Sequence, residues 1–111
     1  MSTSKERYDT IADNYQSALN NQASDMASAT TEAEISAILA NVHTAGHLFF
    51  SVTEEELSAQ SQAVEDDFNA AKQANQAVAD ARNEEEAIPA LLGKLTKATD
   101  AAKQLIGSAK A

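Results

Sequence analysis

Apolar residues recur along this chain at steps of three and four. Tyr8, Ile11, Tyr15, Ala18, Leu19, Ala23 and Met26 make one stripe, and Ile35, Ile38, Leu39, Val42, Gly46, Phe49 and Phe50 make a second. A third runs through Leu57, Val64, Phe68, Ala71, Ala74 and Val78, interrupted by Gln60 and Asn75. The fourth and fullest carries Ile88, Leu91, Leu92, Leu95, Thr99, Ala102, Leu105 and Ile106. This period is that of a helix with one buried face. No segment alternates with period two over a useful length, so strands are not expected.

The ends of these stripes carry start and stop signals. Thr3 with Glu6, Thr31 with Glu34 and Thr53 with Glu56 each read as a capping box, in which the threonine oxygen accepts from a backbone N–H three residues on and the glutamate reaches back. The segments beginning at Thr31 and Thr53 share the pattern T-E-x-E-[I/L]-S-A, but the likeness fades after two turns, so shared capping chemistry explains it better than duplication. Val52 and Leu57 stand where a hydrophobic staple would place them. Pro89 lacks the N–H of a helix interior and suits a first turn, while Gly107 marks a stop. The expectation is an all-α fold: a small antiparallel bundle of about four helices, approximately 3–27, 32–50, 54–83 and 88–107, in a single domain spanning 1–111.

Composition changes how that bundle should be held together. Of 111 residues, 24 are alanine, whereas Leu, Ile, Val and Phe together number only 20. Alanine favours helix strongly but buries little surface, and apolar burial stabilises by roughly 25 cal/mol per Å². Either the helices approach closely through alanine faces, or the protomer completes its core with another molecule. A homo-oligomer, most simply a dimer, or else a monomer of low stability, is therefore expected.

Charge is unevenly spread. The net charge is −9, and no lysine or arginine occurs between Arg7 and Lys72. From Ile88 onward the balance reverses, with Lys94, Lys97, Lys103 and Lys110 against Asp100. Such an acidic body repels polyanions, so nucleic acid is not an expected partner; a protein with a basic surface is. The longest bulky cluster, Leu48-Phe49-Phe50 with Val52, is far too short to span a bilayer, and no membrane role is expected. The first residues lead into no apolar run, so no classical signal peptide is read. A cytoplasmic location is expected, with non-classical secretion left open.

Candidate chemistry is sparse. Without cysteine there is no disulfide, zinc–thiolate site or thiol nucleophile. His43 and His47 lie one helical turn apart and could share a metal ion, but position 44 is Thr, so H-E-x-x-H is incomplete. Both fall on the flank of their stripe, where a histidine needs no catalytic reason. The triplets Glu54-Glu55-Glu56, Glu65-Asp66-Asp67 and Glu84-Glu85-Glu86 fan out around a helix and converge on no site. The three glycines are isolated, and no serine sits in G-x-S-x-G. No cofactor and no enzymatic activity are expected.

The reading that results is a non-enzymatic protein-interaction module of chaperone, adaptor or inhibitor type. It would act through an acidic surface including Glu54, Glu55, Glu65 and Asp66, and through an amphipathic C-terminal helix including Leu91, Leu92 and Leu95. Two alternatives stand beside it: a metal- or ligand-binding bundle using His43 and His47, and a structural self-assembling subunit.

Overall fold

A computed structural model describes every residue from Met1 to Ala111 and is all helical. Five helices form in place of four: α1 (Ser4–Asn20), α2 (Gln22–Ser28), α3 (Glu32–Phe50), α4 (Gln62–Asn83) and α5 (Ile88–Ala109). A 3-10 turn, Glu54–Glu56, stands between α3 and α4.

The caps form where the sequence places them. Thr3 and Glu6 close a full box, and Thr31 accepts from the Glu34 N–H. Glu34 reaches back one residue further than a box requires, accepting the N–H of Thr30 at 2.9 Å. Ser61, which the sequence does not flag, caps α4 by accepting the Val64 N–H.

Three boundaries depart from expectation. The first helix, expected over 3–27, breaks at Asn21, whose Nδ2 donates to the Ser17 carbonyl at 2.8 Å. Such a local bond offers the backbone an alternative to continuing the helix, and the break turns α2 so that Asp25 meets Arg82 on α4. The third helix, expected from residue 54, begins only at Gln62. Thr53 and Glu56 do form their box, but it opens a single 3-10 turn. Leu57 is then drawn fully into the core, and residues 57–61 leave the helical path. Tertiary partners replace the lost helical bonds there: Arg7 donates to the carbonyls of Leu57 and Ala59, and the Ala59 N–H donates to the Ala109 carbonyl. Finally, α5 runs through Gly107 to Ala109.

The connection between α4 and α5 contains Glu85 with φ of 55°, the chain's one non-glycine residue in the left-handed region. The Glu86 N–H donates back to the Ala81 carbonyl. This is the six-to-one bond of a Schellman cap, with glutamate where glycine is usual.

Two apolar clusters fill the interior. One gathers Ile11, Val52, Leu57, Val64, Phe68 and Leu105 with alanines, the other Ile38, Val78, Ile88, Leu91 and Leu95 with alanines. Eight of the nineteen buried hydrophobic residues are alanine, so close approach of helices rather than bulk makes the core. The α4–α5 pair packs most extensively. On α5, between the buried Ala98 and Ala102, Thr99 donates to Asn41 Oδ1 at 2.7 Å and lies 3.3 Å from Asn14 Oδ1, a buried polar contact linking α1, α3 and α5.

Candidate interaction surface

Charged groups are mostly spent inside the molecule wherever they are buried. The Arg7 guanidinium is fully buried and reaches Ser2, Leu57, Ala59 and Glu65. Asp25 takes a bidentate pair from Arg82 at 2.7 and 3.1 Å. Lys94 meets Glu86 at 2.6 Å and Lys110 meets Glu56 at 3.7 Å, so two of the C-terminal lysines face acids of the same chain. Two of the carboxylates are shifted by such contacts. Hydrogen bonds from Ser2, followed by Arg7, hold the Glu65 carboxyl below the usual range. The Thr53 N–H and hydroxyl do the same for Glu56. Burial beside Asp9 raises Asp13.

The residues proposed from sequence therefore scatter. Leu91 and Leu95 are buried in the second cluster and Leu92 is half-buried against it, so α5 contributes its apolar face to the core. Glu65 is engaged by Ser2 and Arg7. Asp66 is exposed and accepts from Gln62, while Glu54 and Glu55 are exposed on the 3-10 turn. His43 and His47 are exposed on α3, and no third His, Cys, Asp or Glu joins them in a metal-binding group.

What the structure brings together instead is the outer side of α3. Ile38, Asn41 and Ala45 point into the protein, whereas Leu39, Ala40, His43, His47 and Phe50 are exposed. Phe50 is 73% exposed and Leu39 41%. Phe50 is nonetheless held: its ring lies 5.1 Å from Phe49 and edge-on to Tyr15 at 5.5 Å, and Phe49 stacks on Tyr15 and tilts against Tyr8. Gly46 makes room for this cluster, since a Cβ there would meet the Tyr15 ring at 2.8 Å. Beside it runs an open groove of about 640 Å³ lined by Tyr15, Gln22, Leu39, Val42, His43 and Phe50 among others. The signal for this face was present in the sequence as an absence: no Asp, Glu, Lys or Arg occurs between Glu34 and Glu54.

No helix is long and apolar enough to cross a membrane. Comparison with protein-family models, with curated proteins and with solved structures finds no match.

Proposed function

We propose that the protein is a non-enzymatic protein-interaction module whose working surface is the outer face of α3. One observation carries this reading: a rigidly supported, exposed aromatic, Phe50, stands at the end of an uncharged helical face in a chain of net charge −9. Aromatic anchors held in place by their neighbours lose little freedom on binding, which is the usual character of an interface hot spot. Carboxylates bracket the face at both ends, with Glu32 and Glu34 at the start of α3 and Glu54 and Glu55 just beyond it. A partner's centre would be apolar.

Retention experiments from the native cell with wild-type, Leu39→Glu and Phe50→Glu baits test this. Both side chains are exposed, so circular dichroism should show an unchanged fold. Loss of the captured protein in both variants is the expected result. An identical captured set from all three baits would refute the assignment of the surface.

A further inference from the structure

We infer that the outer face of α3 takes a second copy of this chain, the two helices lying antiparallel across a two-fold axis. This rests on the reading of that face as an interaction surface and names its occupant.

The first argument is shape. Ala33, Ser36, Ala40, His43, His47 and Phe50 are all exposed and follow one another at steps of three, four, three, four and three. That spacing makes a single seam along a helix. Side-chain size along it is strongly graded, small in the first half and large in the second. Antiparallel pairing about a point between Asn41 and Val42 sets Phe50 against the partner's Ala33, His47 against the partner's Ser36 and His43 against the partner's Ala40. Every large side chain then meets a small one, and each contact occurs twice, as an isologous interface demands. Parallel pairing would press Phe50 on Phe50 at one end and leave alanine facing alanine at the other.

The second argument is charge. None of the six seam residues is Asp, Glu, Lys or Arg, so laying the seam against an identical one buries no unpaired carboxylate, ammonium or guanidinium. The bodies behind the seam both carry −9 and repel. Their repulsion is screened by salt. Association of two copies should therefore tighten as salt is added, the opposite of a contact between an acidic and a basic protein. Area sets the strength. A helix of 19 residues is about 28 Å long, and one such face falls short of the roughly 800 Å² per partner of a stable complex. The dimer should be weak, with a dissociation constant in the micromolar range or above.

Sedimentation velocity on the whole chain, from micromolar to millimolar concentration and at low and high salt, should show reversible doubling of mass that strengthens with salt. Ala40→Glu and Phe50→Glu should each weaken it at least about tenfold, because each buries an unpaired charge. The chain has no cysteine, so single-cysteine variants report geometry directly. Mixed Ser36→Cys and His47→Cys proteins should cross-link to each other under mild oxidation, while neither should cross-link to itself. Self-cross-linking of each variant alone would mean parallel pairing and would overturn the inference, as would association indifferent to both glutamate variants. A protein monomeric at millimolar concentration in high salt also overturns it. If its α3 variants still lose a captured protein, the interaction-module reading survives that failure.

Discussion

Replacing Arg7 with alanine removes the most concentrated set of polar contacts in the chain. The guanidinium is fully buried, and all five of its N–H donors find acceptors. Nε donates to Ser2 Oγ at 2.9 Å, one terminal nitrogen to the Leu57 and Ala59 carbonyls at 2.7 and 2.8 Å, and the other to the Ser2 carbonyl at 3.1 Å and Glu65 Oε2 at 3.3 Å. Truncation leaves the part-buried Ala59 carbonyl without its side-chain donor, for which the cost of a fully buried unpaired carbonyl, roughly 1–3 kcal/mol, is an upper bound. It also removes one member of a largely buried ion pair, which costs roughly 3–5 kcal/mol. The two figures overlap rather than add, because Glu65 keeps both bonds from Ser2 and the Leu57 carbonyl keeps one from Ser4. A loss of about 3–5 kcal/mol is expected, out of a typical total of about 5–15 kcal/mol. Urea unfolding followed by helical circular dichroism should show a lower midpoint at unchanged slope. Arg7→Lys keeps the charge but offers three donors, so it should fall between. An Arg7→Ala protein within about 1 kcal/mol of wild type would refute the reasoning, since most surface substitutions stay inside that range.

Four further outcomes are expected. The Glu65 carboxyl is lowered in the folded state by Ser2 and Arg7; its stabilisation is complete above the ordinary value of about 4.3 and is lost as pH falls through the folded value, so Glu65→Gln should flatten the acid limb of stability against pH. Leu95→Ala should cost roughly 2–5 kcal/mol, while Leu92→Ala, at a half-buried position, should cost clearly less in the same urea titration. Gly46→Ala should destabilise although alanine is the better helix former, because its Cβ meets the Tyr15 ring, whereas Gly93→Ala, with nothing nearby, should stabilise by roughly 0.5–1 kcal/mol in thermal melts. Replacing His43 and His47 together with Gln should leave the melting temperature unchanged with and without added Zn²⁺; zinc stabilisation lost in that variant would favour the metal-binding alternative.

Local signals were legible where local physics decides. The threonine caps, the inward stripe of α4 from Val64 to Val78 and the Pro89 start of α5 could all be read from spacing alone. The departures arise where distant groups compete with the helix. Nothing near Leu57 announces that its carbonyl will accept from Arg7, fifty positions earlier. Asn21 carried a weak signal, two adjacent asparagines, but only the Asp25–Arg82 pair shows what the break accomplishes. The outer face of α3 left no charge pattern to read. Glu65 is engaged by Ser2 and Arg7, Leu91 and Leu95 pack inward with Leu92 half-buried beside them, and the uncharged run from Ile35 to Thr53 holds the exposed Leu39 and Phe50.

The polar ties described above also set an order of assembly. Glu65 and Ser2 are separated by 63 positions, Arg82 and Asp25 by 57, and Thr99 and Asn14 by 85. In contrast, α4 and α5 are joined only by Glu84 to Ala87. Closing a long loop costs more entropy than closing a short one, and nearby contacts form sooner. The α4–α5 hairpin should therefore appear first and serve as the template onto which α3 and α1 dock, with the long-range ties of α1, Arg7 among them, forming late. Contacts made after the rate-limiting step hold the folded state without hastening its formation. Arg7 would then act as a latch in time as well as space: losing it would speed unfolding and leave the folding rate nearly untouched.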